Sequence, residues 1–487
     1  MRAALMRGLG TPNAVNAGPG DCAVPAPALL RLGTRSGRWV VTATILGSAL
    51  AGIDGSVVSI ALPAIGRDLQ ASFAGLQATI TGYSLTLAAL ILLSGAAGDR
   101  LGRRRVFVSG VVWFTTASLL CAMAPTIELL IAARVLQGIG AALLTPSSLA
   151  ILEASFRSRD RASAVGTWAG FSGVAGALAP FVGGWLLAVA SWRWVFLINV
   201  PLAALVVVAA VRHIPESWDR EATGRLDWLG ALATVAFLGF GTFALLRLRE
   251  GTSHVAIASA AAAVLTFLAF LRHERHQPAP LLPLNVFRIR QFTATNAVTF
   301  VVYAPIGVFF LLLVLMLQVV AGWSPLAAGA ATIPVTALTL SLSRPSAALA
   351  QVIGPRLQMT AGPLLCAAGA LLARGLGPGT DYLDVLPSVI TFGLGLATMV
   401  APLTATALAS LPATHSGVAS GVNNAVARTA SLLAIAAVPG LVGLTGDAWQ
   451  EPARFEQGFC TALAICAVLF IAGSILAALT VRRPDPT

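Results

Sequence analysis

Long apolar runs recur along the chain from Trp39 to Val481, and short loops that contain arginine, glycine and proline separate them. Each run is about twenty residues long, the length that an α-helix needs to cross the hydrocarbon core of a bilayer. The pattern predicts fourteen membrane-spanning helices, which begin near residues 39, 76, 106, 129, 163, 194, 228, 254, 293, 325, 359, 385, 417 and 458. We therefore expect an all-α integral membrane protein.

Composition agrees with this expectation. Of the 487 residues, 57% are hydrophobic and 10% are charged, whereas soluble domains carry about 25% charged residues. A net charge of +12 would suggest a nucleic-acid partner in a soluble protein, but here the arginines lie almost entirely in loops. The five cysteines have the spacing of neither a disulfide framework nor a metal site.

The arginines are divided unequally between the two sides of the predicted membrane. The tails and the loops on the side of the N-terminus hold 23 of them, the opposite loops hold six, and two fall inside spans. Loops rich in Lys and Arg stay in the cytoplasm. The bias predicts that both termini are cytoplasmic, which requires an even number of spans.

A short internal repeat links the two halves of the chain. The loop after span 2 reads GDRLGRRRVFVSG and the loop after span 10 reads AQVIGPRLQMTAG, so Gly102 and Gly110 match Gly354 and Gly362 at the same spacing. Parallel repeats are one way in which transporters are built. The predicted organisation is a flexible cytosolic tail (1–38), a six-helix half (39–212), an inserted helix pair (213–272), a cytosolic linker (273–292), a second six-helix half (293–481) and a cytosolic tail (482–487).

Four motifs resemble those of the major facilitator superfamily, and within it the fourteen-span drug:proton antiporters. They are IDGSVVSIALP in span 1, GAAGDRLGRR after span 2, RVLQGIGAA in span 4 and GALAPFVGG in span 5. The match covers nearly the whole chain from residue 39. It implies the major facilitator fold in a bacterial inner membrane and export of hydrophobic drugs or antibiotics, driven by protons moving inward without any other cofactor. We expect a monomer whose partners are protons, an amphiphilic small molecule and the bilayer.

Two other classes of protein are less consistent with the sequence. A facilitator or importer of a small amphiphilic metabolite without proton antiport is the alternative, and the span 5 motif argues against it. A membrane enzyme is not expected, because the sequence has no HExxH, no Walker loop, no GxSxG in a usable context and no cluster of His or Cys.

Asp54 and Arg134 are the candidate proton-coupling residues. At 1.5 Å per residue, Asp54 lies about 22 Å from the cytoplasmic surface, and Arg134 reaches roughly the same depth in a core of about 30 Å. The family resemblance makes spans 1 and 4 neighbours, so the two charges can pair. An opposite charge lowers the pKa of a carboxylate and desolvation raises it, so such a site can bind and release a proton. The alternative is a permanent ion pair that only fixes helix packing.

Two further motifs have predicted conformational roles. In the family, the Asp of the loop motif contacts the start of a helix in the other half, here near Ser416, where the positive end of a helix dipole would attract it. The latch residues are Gly95, Asp99, Arg100, Gly102, Arg103 and Arg104. The antiporter hinge of span 5 comprises Gly176, Pro180, Gly183 and Gly184, whose small side chains allow close helix approach. Simple tight packing would explain the same hinge residues.

The substrate cavity is predicted from polar and aromatic residues within the spans. The candidates are Gln137, Trp168, Phe171, Tyr303, Phe309, Gln318, Asn423, Asn424 and Arg428. Any one aromatic among them could instead face lipid or core. Since no carboxylate lies deep in a span of the second half, neutral, zwitterionic or monocationic amphiphiles are the favoured substrates.

Overall fold

The computed structural model describes residues 30–219, 226–247, 254–278, 280–411 and 416–481. Over these ranges the chain is helical, apart from connecting turns and one isolated bridge between Leu30 and Phe156. The α-helices are α1 (Arg35–Asp68), α2 (Phe73–Leu101), α3 (Arg103–Met123), α4 (Ile127–Ser155), α5 (Ser158–Val189), α6 (Trp194–Leu197), α7 (Asn199–His213), α8 (Trp228–Leu246), α9 (His254–His276), α10 (Arg290–Val319), α11 (Pro325–Ala330), α12 (Ile333–Ile353), α13 (Pro355–Ala373), α14 (Tyr382–Ala409), α15 (Ser416–Leu441) and α16 (Pro452–Thr480). Most of the two predicted tails lies outside the described residues.

Twelve helical segments within the described ranges are long and apolar enough to cross a membrane, with α6–α7 and α11–α12 each forming one segment. The prediction of an all-α membrane protein is confirmed, while the count of fourteen spans stays a prediction. The other two predicted spans correspond to α5, of 32 residues, and α13, of 19 residues. Predicted and observed starts agree closely, and the largest difference lies between residue 458 and Pro452.

Polar residues immediately before the helices explain where several of them begin. The side chains of Thr34, Ser72, Thr126 and Ser324 each accept a hydrogen bond from a backbone N–H in the first turn of the helix that follows. A capping side chain satisfies one of the donors that a helix leaves without a partner at its start. The loops therefore end at these residues, a few positions before the apolar runs begin.

The connection between α9 and α10 lies within the predicted linker range 273–292. Helix α9 continues to His276, and α10 begins at Arg290. Near the end of α9, the carboxylate of Glu274 is buried and accepts a hydrogen bond from the backbone N–H of Leu282 at 3.0 Å. This contact folds the start of the linker back against the helix end.

The helices form two groups with the same packing pattern. In the N-terminal group (α1–α7), α3 and α4 pack together, and α1 packs against α5 and α7. In the C-terminal group (α10–α16), α13 and α14 pack together, and α10 packs against α15 and α16. Helix α8 packs against both α2 and α15, and α9 packs against α8. The inserted pair therefore lies beside the junction of the two groups.

The repeated glycines lie in matching surroundings. Gly102 and Gly354 precede α3 and α13 with φ of 106° and 84°, a region that glycine adopts far more readily than other residues. A Cβ on Gly110 would lie 2.8 Å from the Cβ of Leu143 in α4, and a Cβ on Gly362 would lie 2.5 Å from that of Met399 in α14. Both glycines thus permit the same close approach between neighbouring helices.

Candidate functional site

The interior of the N-terminal group contains an ion pair between Asp54 of α1 and Arg134 of α4. The Nη1 atom of Arg134 donates to Oδ2 of Asp54, and each residue is only 1% exposed. Removing one partner of a buried pair strands the other charge and costs about 3–5 kcal/mol. Each residue therefore depends on the other.

Three neutral side chains complete the surroundings of Asp54. The amide of Gln137 donates to Oδ1 of Asp54 at 2.9 Å and to the hydroxyl of Ser118 at 2.7 Å. Its carbonyl oxygen accepts from Arg134 at 2.6 Å, because positions three apart share one face of α4. The amide of Asn199, at the start of α7, donates to the same Oδ1 at 3.4 Å and to Ser118 at 3.2 Å. Donors from α4 and α7 thus hold the carboxylate in one orientation.

Helix α2 covers the other side of Arg134. The guanidinium carbon lies 4.2 Å from the ring centroid of Tyr83, and Nε donates to the carbonyl of Thr79 at 3.3 Å. The hydroxyl of Tyr83 donates at 3.0 Å to the carbonyl of Ala51, which lies three residues before Asp54 on α1. Gly138 makes this geometry possible, because a Cβ there would lie 2.3 Å from the carbonyl oxygen of Tyr83.

Open space borders α1 beside the ion pair. Cβ atoms built on Gly52 and Gly55 would have no neighbour within 4 Å. The carboxylate of Asp54 is itself buried, yet the residue that follows it faces this space.

The span 5 motif contacts two other helices at one end of the bundle. We call this end, where α1 finishes at Asp68, the far side. A Cβ on Gly183 would lie 2.5 Å from the side chain of Val57 in α1, and a Cβ on Gly184 would lie 2.4 Å from the Cα of Leu326 in α11. Pro180 is buried one turn earlier, while the surroundings of Gly176 lie outside the described part of α5. The motif therefore joins the two groups of helices.

Two glutamines add polar contacts between the groups on the far side. Gln77 of α2 donates to the backbone carbonyls of Ile435 and Ala436 in α15, the second at 3.0 Å. Gln318 of α10, predicted to line the cavity, donates to the carbonyl of Ile60 in α1 at 3.1 Å. On the far side, therefore, side chains of each group bond directly to the backbone of the other.

The predicted latch loop has partners within the N-terminal group. Asp99 accepts two hydrogen bonds from Arg103, at 2.8 and 3.1 Å, and its backbone carbonyl accepts from the N–H of Asp219. Residues 412–415, directly before the predicted partner Ser416, lie outside the described residues. The contact between the loop and α15 stays a prediction.

Glu216, after α7, organises the arginines of this loop. Its carboxylate accepts from the backbone N–H of Arg104 at 3.0 Å and pairs with the guanidinium groups of Arg104 and Arg105 at 3.6 and 3.7 Å. Gly102 packs against the carboxylate of Glu216. The other two predicted latch residues, Gly95 and Arg100, belong to the last two turns of α2.

The remaining predicted cavity residues occupy different settings. Trp168 donates to Ser48 at 3.0 Å, and Phe171 is 59% exposed. Phe309 is buried in the C-terminal group, where its ring stacks on Phe392 with centroids 3.8 Å apart. Residues Tyr303, Asn424 and Arg428 lie on α10 and α15 with part of their surface exposed, and Asn423 is buried against α10.

Ser118, Asn199 and Glu216 were absent from the site residues predicted from the sequence. An isolated Asn in the apolar stretch NVPLAALVVVAAV is the signal that was available for Asn199, since polar groups are buried in a membrane span only where a partner exists.

Comparisons with known proteins agree with this architecture. The sequence model of the Major Facilitator Superfamily matches residues 44–435. The methylenomycin A resistance protein of Bacillus subtilis is 32% identical over 427 residues, covering 86% of this chain and 90% of that protein. The multidrug efflux pump LfrA of Mycolicibacterium smegmatis is 31% identical over 420 residues, covering 84% and 83%.

Solved structures show the same fold at low sequence identity. The POT family transporter PepTSo has a TM-score of 0.68 at 13% identity and covers 91% of this chain and 97% of its own. A D-xylose–proton symporter has a TM-score of 0.62 at 15% identity, covering 92% and 98%. The chain is a multi-pass membrane transporter and belongs to the Major Facilitator Superfamily.

Proposed function

We propose that the protein is a proton-coupled antiporter that exports hydrophobic drug-like molecules or antibiotics. The buried pair of Asp54 and Arg134 beside open space is the observation that carries the proposal. An ionisable residue inside a membrane protein is costly to keep and marks a proton or substrate pathway. Relatives named for antibiotic resistance and multidrug efflux support the direction of transport.

A proton on Asp54 removes the charge that holds Arg134. Arg134 then keeps only neutral partners, the carbonyl oxygens of Gln137 and Thr79 and the ring of Tyr83. The loss of the ion pair weakens the link between α1 and α4 and lets α1 move relative to the bundle. Substrate occupies the open space beside α1 and favours one position of this helix, while a proton on Asp54 favours the other. Exchange of substrate for a proton requires such a difference.

Alternating access accounts for the contacts on the far side. The far side is the extracellular side if the arginine-rich loops are cytoplasmic, so this conformation is closed to the outside. In the opposite conformation the contacts of Gly184 and Gln318 separate, and Asp99 approaches the start of α15.

We assign fourteen spans, α5 and α13 included, to a monomer in a bacterial inner membrane. Both termini are cytoplasmic in this assignment, and the proton gradient is the energy source.

The test uses purified protein in liposomes that contain a pH-sensitive dye. A proton gradient is imposed, and a panel of amphiphilic antibiotics and dyes is added to wild type and to Asp54→Asn. Asp68→Asn is the matched control, because Asp68 also pairs with an arginine on another part of the chain, Arg193 at 2.8 Å, but at an exposed position. We expect substrate-dependent proton flux in wild type and Asp68→Asn and none in Asp54→Asn.

Equal flux in all three proteins would mean that the buried pair only fixes helix packing. Transport of the same compounds without proton movement would favour a facilitator. In either case the antiporter proposal fails.

A further inference from the structure

Arg428 of α15 is a cation at the junction of the two groups without a matching anion. Among the described residues no carboxylate forms an ion pair with it. Its Nε atom is buried and has no hydrogen-bond partner, although buried polar groups in native proteins nearly always have one. Arg134, by contrast, is bonded to Asp54, Gln137 and Thr79.

The surroundings of Arg428 belong to both groups of helices. Helix α15, which carries it, packs against α2 of the N-terminal group and against α10 of the C-terminal group. Asn424, one turn earlier on the same face of α15, is exposed. Asn423 is not available for this face, because its amide donates to Asn296 and Thr299 on α10 at 3.2 and 2.9 Å.

Helix α2 contacts both of the helices that carry these arginines. Its Tyr83 ring lies under the guanidinium of Arg134 on α4, and α2 also packs against α15, which carries Arg428. Asp54 neutralises only Arg134. A cationic substrate at this place would meet a second positive charge, whereas an anion would find an arginine with free hydrogen-bonding capacity.

We infer that Arg428 binds an anionic group of the transported molecule, so that the substrates are amphiphilic organic acids with a carboxylate or an acidic phenol. The inference rests on the proposed transport function and replaces the sequence-based preference for neutral, zwitterionic or monocationic compounds. Guanidinium groups recognise carboxylates through paired charge-assisted hydrogen bonds. The exposed Asn424, one turn earlier on α15, adds a polar side chain to the same face.

The charge of the substrate determines whether transport is electrogenic. Exchange of one proton inward for one monoanion outward moves two positive charges inward. Exchange of one proton for one monocation moves none. An inside-negative membrane potential therefore accelerates the first exchange and leaves the second unchanged.

Three probes with one ring system separate the charge from the shape. They are 2-naphthoate, the neutral 2-naphthamide and the cationic 2-naphthylmethylammonium, measured by calorimetry on the purified full-length protein in chloride-free buffer. The variants are Arg428→Gln, Arg428→Lys and, as the control, Arg374→Gln, which changes an exposed arginine of the C-terminal group. We expect wild type to prefer naphthoate, Arg428→Gln to lose at least tenfold in naphthoate affinity alone, and Arg428→Lys and Arg374→Gln to retain most of it.

Several results would overturn the inference. Wild type does not bind naphthoate at millimolar concentration, wild type and Arg428→Gln bind naphthoate equally, or wild type binds the ammonium probe more tightly than naphthoate. Displacement of naphthoate by chloride at low millimolar concentration would also overturn it, because the site would then hold an inorganic anion. If Arg428→Gln does not fold, Arg428→Met takes its place, and naphthoate binding by that variant equal to wild type overturns the inference.

Flux measurements distinguish failure of this inference from failure of the antiporter proposal. If naphthoate binding depends on Arg428 but no proton flux is observed, the antiporter proposal is wrong and the anion-site inference stands. The opposite result is a proton flux that depends on Asp54, is elicited only by the ammonium probe and is unchanged by a membrane potential set with valinomycin. In that case the anion-site inference is wrong and the antiporter proposal stands.

Discussion

The guanidinium of Arg134 lies over the ring of Tyr83, 4.2 Å from its centroid, while the hydroxyl of Tyr83 donates to the backbone of α1 at Ala51. One side chain of α2 thus contacts both helices that carry the buried ion pair of Asp54 and Arg134. A cation over a desolvated aromatic ring gains about 2 kcal/mol. The position of Arg134 relative to Asp54 therefore depends on Tyr83.

Replacement of Tyr83 separates the role of its ring from that of its hydroxyl. Tyr83→Phe keeps the ring under Arg134 and loses only the bond to Ala51, so we expect a decrease in proton flux of about threefold or less. Tyr83→Leu removes the ring and should decrease the flux about tenfold or more. Dye-loaded liposomes with equal amounts of inserted protein give the comparison, and equal flux in the two variants would contradict a role for the ring.

Asn199 should contribute to stability through its two hydrogen bonds inside the bundle. Asn199→Leu removes donors to Asp54 and Ser118, and the loss of buried hydrogen bonds costs about 1–3 kcal/mol. Thermal unfolding in detergent should show a lower Tm. Asn424→Leu is the comparison, because Asn424 is exposed and its replacement should leave the Tm unchanged. An unchanged Tm in Asn199→Leu would mean that Gln137 alone satisfies the carboxylate.

The ion pair of Asp54 and Arg134 was predictable because depth follows from residue count. Asp54 and Arg134 lie in spans of opposite direction at the same distance from one surface, and the motifs identify those spans. The eight-residue spacing of Gly102 and Gly110, repeated in the second half, predicted only that the two loops correspond. Their shared positive φ and shared contact between helices come from the structure.

The neighbours of the pair were not predictable in the same way. Gln137 was expected in the substrate cavity. Its position three residues after Arg134 does not by itself predict a hydrogen bond to Asp54 on α1. Asn199 and Ser118 reach Asp54 from α7 and α3 through tertiary packing that no local pattern encodes. Phe309 was expected in the cavity for its aromatic ring, but the stacking with Phe392 that buries it depends on the approach of α14 to α10.

Gly184 should be essential to closure of the far side. A Cβ there would lie 2.4 Å from the Cα of Leu326, so Gly184→Val must push α5 and α11 apart. Overpacking of this kind costs about 1–3 kcal/mol, and we expect substrate transport to fall at least tenfold with normal insertion. Gly166→Val in the same helix is the control, because a Cβ at Gly166 meets nothing within 4 Å. Equal transport by the two variants would show that the far side closes without this contact.

Gly102 should be sensitive to substitution for two separable reasons. Its φ of 106° strains any residue with a Cβ, at a cost of about 1–3 kcal/mol. In addition, the Cβ of Gly102→Ala would lie 2.7 Å from Oε1 of Glu216, the residue that binds Arg104. A double-mutant cycle separates the two costs. If the contact matters, Gly102→Ala lowers the Tm less in a Glu216→Ala background than in wild type. If the backbone alone matters, the two decreases are equal, and Glu216 then acts only on the loop arginines.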